Sequence, residues 1–110
     1  MEQITPENLA EWAKGQPQRP ILLDVREGWE LQTASAKTDA LDLMHIPMQT
    51  IPARLDELDK SRPIACLCHH GGRSMQVASF LKSRGFAHVA NIAGGINAWS
   101  AELDPSIPRY

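Results

Sequence analysis

The stretch PIACLCHHGGRS, residues 63–74, indicates the fold class. Pro63 to Cys68 is a continuous apolar run that begins with a proline. Such a run is typical of a strand buried on both faces of a parallel sheet. His69 to Arg73 contains two glycines and is predicted to be a tight loop. The spacing then predicts a helix from Ser74 to Arg84, closed by Gly85. Strand, loop and helix in succession form the repeating unit of parallel α/β proteins.

Outward from this stretch, the chain alternates between strand and helix patterns. Trp29 is expected to face inward on a short helix beginning at Glu27. Further strands are predicted over residues 21–25, 41–47 and 86–92, and further helices over residues 5–14, 51–58 and 96–103. These elements predict an α/β fold with a mostly parallel sheet covered on both faces.

Length and composition limit the class of protein. A chain of 110 residues is expected to form a single domain, residues 1–110. With 43% apolar and 22% charged residues, the composition is that of a soluble globular protein. No stretch approaches the roughly 18 consecutive apolar residues of a membrane span, and the N-terminus lacks the pattern of a secretory signal. We therefore expect a cytoplasmic protein without membrane partners.

Charge and cysteine content exclude two further classes. Lys and Arg number 11 against 13 Asp and Glu, and the sequence has no run of basic residues that could bind nucleic acid. The two cysteines, Cys66 and Cys68, are too few and too close together for a disulfide framework, so both are expected to be thiols.

Cys68 is the strongest candidate for a catalytic residue. Ligands of open α/β sheets collect at the carboxyl ends of strands, where Cys68 is predicted to lie. The following helix N-terminus and inward-pointing loop amides favour the thiolate, which is the nucleophilic form. Gly71 and Gly72 are predicted to be required because side chains would obstruct such a loop. The alternative is that Cys68 is simply a small buried residue, as Cys66 on the same strand face is expected to be.

A metal site is a weaker interpretation of the same segment. Cys66, Cys68, His69 and His70 include suitable ligand types, but their spacing does not match structural zinc sites and no third cysteine exists. We predict neither a metal nor a cofactor. His69 and His70 are expected at the rim of the loop, either as donors to a bound anion or as solvated side chains.

Arg73 closes the loop and has two possible roles. Its guanidinium could bind an oxyanion through paired hydrogen bonds, or brace the loop by pairing with a carboxylate such as Asp24. Asp24 and Arg26, which end the first predicted strand, are candidates for this bracing.

Three separated motifs make the chain resemble the rhodanese family of single-domain sulfurtransferases. They are Leu23-Asp24-Val25-Arg26-Glu27 with Trp29-Glu30, Cys68-His69-His70-Gly71-Gly72-Arg73-Ser74, and Gly94-Gly95-Ile96-Asn97-Ala98-Trp99. The resemblance implies a rhodanese-like three-layer sandwich around a five-stranded, mostly parallel sheet flanked by helices. It also implies that Cys68 is the nucleophile and carries a persulfide, stabilised by the backbone amides of His69 to Ser74.

The resemblance further implies the reaction and its partners. Sulfane sulfur would pass from thiosulfate or a persulfide donor, which could be a protein, to cyanide or a thiol. A phosphatase or arsenate reductase is a less favoured alternative, because such enzymes have five residues between cysteine and arginine and this loop has four. The second alternative is a non-catalytic rhodanese-like module that binds another protein.

Overall fold

Five parallel strands form one sheet at the centre of the molecule. The computed structural model describes all 110 residues. The strands are β1 (Glu2–Ile4), β2 (Ile21–Asp24), β3 (Asp42–His45), β4 (Ile64–Leu67) and β5 (Val89–Ile92). Their order is β1-β5-β4-β2-β3, and every neighbouring pair is parallel. The predicted α/β class is confirmed, and the sheet is entirely rather than mostly parallel.

Helices connect the strands. They are α1 (Leu9–Lys14), α2 (Gly28–Thr33), α3 (Gly72–Ser83) and α4 (Gly95–Glu102), with 3-10 segments at Pro6–Asn8, Met48–Thr50 and Pro52–Glu57. None of these helices has the length and apolar character needed to cross a bilayer.

Alternate residues of the strands pack into two separate cores, one on each face of the sheet. One core joins Leu22, Leu67 and Ile92 to residues of α1 and α4, including Leu9 and Trp99. The other joins residues including Leu23, Cys66, Cys68, Val77 and Leu81. The period of two along the strands thus produces the three layers that the resemblance implied.

Several observed elements differ from the predicted ones. β1 was not predicted, because a three-residue edge strand with one buried side chain carries almost no pattern. The segment predicted as a helix over residues 51–58 forms 3-10 turns, interrupted at Arg54 with φ −113° and ψ 18°. The predicted strands over 41–47 and 86–92 shorten to four residues each.

The orientation predicted for α2 was wrong. Trp29 is 61% exposed, whereas the neighbouring Glu30 is 3% exposed. Glu30 accepts the backbone N–H of Glu27 at 2.8 Å in a capping box and points towards α3. An ion pair, rather than an apolar side chain, therefore determines which face of this short helix is buried.

The strand order brings the candidate site residues to one edge of the sheet. β4 is central, between β2 and β5, and its carboxyl end leads into Cys68. Asp24 ends β2 beside it, and Gly94 and Gly95 follow β5 on the other side. Because all strands are parallel, these segments converge at the same edge.

Candidate active site

Cys68 lies between the end of β4 and the start of α3. Its Sγ accepts hydrogen bonds from the backbone N–H of Gly71 at 3.1 Å and from the Ser74 hydroxyl at 3.2 Å. Gly71 adopts φ +111°, a left-handed conformation that L side chains rarely adopt, and so turns its N–H back towards the sulfur. Both donors and the N-terminus of α3 favour negative charge on Sγ.

The surroundings of Cys68 agree in part with each of its two interpretations, a catalytic nucleophile and a small buried residue. The residue is 1% exposed and belongs to the core that contains Cys66, as the structural alternative predicted. Its sulfur is nevertheless aimed at two donors. Of the amides of residues 69–74, only that of Gly71 is hydrogen-bonded to Sγ. The sulfur therefore has one amide and one hydroxyl where a cradle of several amides was expected.

The two loop glycines are not equivalent. Gly72 has an ordinary φ, and a Cβ added there would meet nothing within 4 Å. The expectation that Gly72 is sterically required was wrong, because it occupies the first position of α3 with open space beside it. The conformational requirement lies at Gly71 alone.

A second pair of glycines, Gly94 and Gly95, lies where α4 begins, and backbone amides of α4 hold the loop there. At the start of α4, Ile96 N–H donates to the Cys68 carbonyl at 2.9 Å and Asn97 N–H donates to the His69 carbonyl at 3.0 Å. A Cβ on Gly95 would lie 2.5 Å from both of these carbonyl oxygens. Gly95 thus allows the amides of α4 to anchor the two residues that begin the loop.

Arg73 pairs with Glu30 and not with Asp24. Its Nη1 and Nη2 donate to the two carboxylate oxygens of Glu30 at 2.8 and 2.7 Å. These hydrogen bonds are the largest cause that lowers the pKa of Glu30 to about 2, and they raise the pKa of Arg73. Both donor nitrogens are engaged by a carboxylate, so the geometry fits the bracing role. The sequence marks Glu30 only as part of the Trp29-Glu30 motif.

Asp24 and Arg26 form a separate buried ion pair. Arg26 Nη2 lies 2.7 Å from Asp24 Oδ2, with side-chain exposures of 0% and 2%. Arg26 also donates to the carbonyl of Ala34 at 2.9 Å and to the Tyr110 hydroxyl at 3.0 Å. This pair braces the segment between β2 and β3, and it reaches Arg73 only indirectly, through Tyr110 and Glu30.

Tyr110 has a role at the site that its sequence context does not predict. Its hydroxyl donates to Glu30 Oε1 at 2.9 Å, and its ring stacks on His69 with centroids 3.8 Å apart. Nothing local in the irregular tail indicated these contacts. The terminal aromatic residue therefore joins the bracing network to the loop.

The two loop histidines have different environments. His69 is stacked between His70 and Tyr110, whereas His70 is exposed. Burial, followed by the neighbouring His70, lowers the pKa of His69 and so favours its neutral imidazole. Its Nε2 is buried without a hydrogen-bond partner. Neither ring donates to the Cys68 sulfur.

Cys66 lies at the centre of the sheet. The residue is 0% exposed, and burial, followed by the charge of Cys68, raises the pKa of its thiol. It is therefore a neutral core residue, as predicted.

The fold is a parallel α/β sandwich in which Cys68 lies in the strand-to-helix loop that follows the central strand. The chain belongs to the rhodanese-like domain family, whose profile matches residues 5–102.

Individual relatives agree with this assignment. The thiosulfate sulfurtransferase GlpE of Actinobacillus pleuropneumoniae is 30% identical, with 90% of this chain and 88% of that protein covered. A chloroplastic rhodanese-like/PpiC domain-containing protein 12 of Arabidopsis thaliana is 43% identical over 81% of this chain, which spans only 30% of that protein. A crystal structure of a rhodanese-related protein from Thermoplasma volcanium superposes with TM-score 0.77 at 26% identity, with both chains fully covered. Sulfur transfer is thus supported at the level of the family.

Proposed function

We propose that this protein is a sulfurtransferase that carries sulfane sulfur as a persulfide on Cys68. The observation that carries the proposal is the pair of donors, Gly71 N–H and the Ser74 hydroxyl, directed at Sγ from the start of α3. No other cysteine is suited to the role, because Cys66 is fully buried and neutral.

The first half-reaction loads the cysteine. The Cys68 thiolate attacks the outer sulfur of thiosulfate, a new S–S bond forms at Sγ, and the original S–S bond breaks with its electron pair leaving on sulfite. With a persulfide donor, the leaving group is the donor's thiolate. Negative charge moves from Sγ to the outer sulfur, and the donors that held the thiolate remain beside the inner sulfur.

The second half-reaction unloads it. Cyanide or a thiolate attacks the outer sulfur, producing thiocyanate or a new persulfide, and the bonding electron pair returns to Sγ. Splitting the transfer in this way predicts ping-pong kinetics.

The ion pairs around the loop support sulfur chemistry over phosphate chemistry. Arg73 is bonded through two nitrogens to Glu30, and Arg26 is paired with Asp24. In a phosphatase, a guanidinium beside the nucleophile would bind the transferring oxyanion, whereas two Arg73 nitrogens here donate to Glu30. The loop of four residues between Cys68 and Arg73, one shorter than that of phosphatases, also favours sulfur chemistry.

Access to the sulfur is restricted. Cys68 is 1% exposed, so a donor must displace covering groups to reach Sγ. A surface pocket of about 290 Å³ lies between Met48–Pro52 and the face of α3 that includes Phe80, but Cys68 does not line it. The bound donor is therefore expected to shift the loop as it approaches.

Mass spectrometry of the intact protein tests the proposal. After incubation with thiosulfate or a glutathione persulfide and removal of excess donor, we expect a gain of about 32 Da that dithiothreitol reverses. Cys68→Ser should abolish the gain, whereas the matched control Cys66→Ser should keep it.

The contrary result would favour a different function. If neither donor produces an adduct while the protein is folded, the rhodanese-like domain acts as a non-catalytic binding module. If the adduct persists in Cys68→Ser, the nucleophile has been assigned to the wrong residue.

A further inference from the structure

We propose that Asn91 is a positioning residue that controls the thiolate of Cys68 through the Ser74 hydroxyl. Asn91 lies on β5, is 2% exposed, and approaches the site from the strand beside β4. The proposal rests on the proposed function only in taking Cys68 as the nucleophile.

The orientation of the Asn91 side chain follows from its neighbours. One end of the amide lies 3.2 Å from the carbonyl oxygen of Gly71. A carbonyl only accepts, so this end must be Nδ2, which also donates to Gln3 Oε1 at 3.1 Å. The other end, Oδ1, then faces Ser74 Oγ at 2.5 Å and can only accept from it.

Ser74 therefore has one hydrogen and competing acceptors. Its Oγ lies 2.5 Å from Asn91 Oδ1, 3.2 Å from Cys68 Sγ and 3.3 Å from the Gly71 carbonyl oxygen. When Cys68 is a thiol, its own hydrogen can point to Ser74 Oγ while Ser74 donates to Asn91. When Cys68 is a thiolate, the sulfur and Asn91 Oδ1 compete for the same hydrogen.

The outcome of this competition depends on whether Cys68 Sγ carries a negative charge. Asn91 is 2% exposed and Ser74 is 0% exposed, so it is unfavourable for the buried Oδ1 of Asn91 to lose its donor. Asn91 consequently disfavours the thiolate relative to both the thiol and the persulfide, in which Sγ carries no charge and Ser74 can donate to Asn91 again. The residue would thus favour the loaded enzyme over the empty thiolate.

The pH dependence of Cys68 alkylation by iodoacetamide measures this effect without any sulfur donor. The midpoint reports the ionisation of Cys68, and the plateau rate reports access to the sulfur. Arg73 on α3 is the charged group that interacts with Cys68, the neighbouring Cys66 on β4 stays a neutral thiol, and both residues remain unchanged in the variants.

In Asn91→Ala, the Ser74 hydrogen is released for the sulfur. We expect the midpoint to fall by about half to one pH unit, the size expected from one hydrogen bond gained by the thiolate. In a Ser74→Ala background, the same substitution should leave the midpoint unchanged. Gln3→Ala removes the other acceptor of Asn91 Nδ2, together with a contact of Gln3 Nε2 with Met75 Sδ, and should also leave the midpoint unchanged.

Several results would overturn the proposal. A midpoint that stays or rises in Asn91→Ala would do so, as would an equal shift in the Ser74→Ala background or in Gln3→Ala. If Asn91→Ala does not fold, the ¹³Cγ resonance of Asn91 in the wild-type protein replaces it. This resonance should titrate with the midpoint of Cys68 alkylation, and a resonance that does not move would overturn the proposal.

Failure of this inference and failure of the proposed function can be told apart. A midpoint shift without a persulfide adduct would retain the role of Asn91 and reject sulfur transfer. An adduct on Cys68 without a midpoint shift would do the reverse.

Discussion

The backbone N–H of Ile96 donates to the carbonyl oxygen of Cys68 at 2.9 Å, which joins the start of α4 to the residue that begins the active-site loop. Asn97 makes the equivalent hydrogen bond to His69 at 3.0 Å. The loop is therefore held from two sides. Donors at the start of α3 bind the Cys68 sulfur, and backbone amides of α4 bind the carbonyl oxygens of Cys68 and His69.

Substituting Gly95 should break this anchor. A Cβ in Gly95→Ala would lie 2.5 Å from the carbonyl oxygens of Cys68 and His69, at a residue with φ +60°. We expect the free energy of unfolding to fall by about 2 kcal/mol or more and sulfur transfer to be lost. Urea unfolding and a transfer assay would measure both. Gly28→Ala is the control, since its Cβ meets nothing within 4 Å; equal stability of the two variants would contradict the anchor.

The two loop glycines should respond differently to alanine. Gly71→Ala strains a residue at φ +111° and displaces the N–H that donates to Sγ, so kcat/KM should fall by about 100-fold. Gly72→Ala meets no neighbour and should stay within about twofold of the wild type. Steady-state kinetics of the two variants test the assignment. A larger loss at Gly72 than at Gly71 would contradict it.

The Glu30–Arg73 pair should make stability depend on acid pH. The pKa of Glu30 falls from 4.5 to about 2 on folding, so its contribution is complete above pH 4.5 and is lost as the pH falls towards 2. At pH 7, Glu30→Gln should lower the free energy of unfolding by about 2 kcal/mol, after a discount for the partly exposed Arg73.

Urea unfolding of the wild type and Glu30→Gln at several pH values would measure this contribution. The difference between the two proteins should shrink as the pH falls through the range from 4.5 to 2. A difference that is constant with pH would show that the lost stability is not electrostatic.

Tyr110 should control the ionisation of His69. Their rings are stacked at 3.8 Å, and burial is the largest cause of the lowered pKa of His69. Tyr110→Ala removes the covering ring, so the pKa of His69 should rise towards its usual value. Tyr110→Phe keeps the ring and should leave it low, while losing about 1 kcal/mol of stability with the hydroxyl. NMR titration of the histidine rings distinguishes these outcomes, and equal titration in both variants would argue against the stack.

The two cysteines should differ in reactivity. Cys66 is a neutral, fully buried thiol, so native-state alkylation followed by peptide mapping should modify Cys68 only. Cys66→Ala should keep sulfur loading within about twofold while losing about 1 kcal/mol of stability. A loss of loading as large as that in Cys68→Ser would show that the two thiols act together.

The elements with strong local patterns were predicted well. β2, β4 and α3 were recognised because their apolar runs, glycines and capping residues lie within a few positions of one another. β1 was not predicted, because an edge strand with a single buried residue has no hydrophobic period to detect. The proline and the apolar spacing at residues 51–58 predict a helix without distinguishing an α-helix from the 3-10 turns observed at residues 52–57.

The partners of the site residues were predicted less well. The sequence left two roles open for Arg73 and offered Asp24 as an example of a bracing carboxylate, but Arg73 pairs with Glu30, 43 residues away in the chain. The sequence contained both carboxylates and offered no means of choosing between them. The choice depends on how α2 is rotated against α3, which only the packed structure defines.

From the order of residues alone, a parallel α/β fold and a candidate nucleophile at position 68 could be derived, because apolar periodicity and glycine placement act over a few neighbouring residues. Tertiary structure decided which groups surround that sulfur. Asn91 on β5 reaches Ser74 on α3, and Tyr110 contacts Glu30 across a separation of 80 residues. Such contacts exist only once the strands pair and the helices pack, since no local pattern encodes the distance between remote segments.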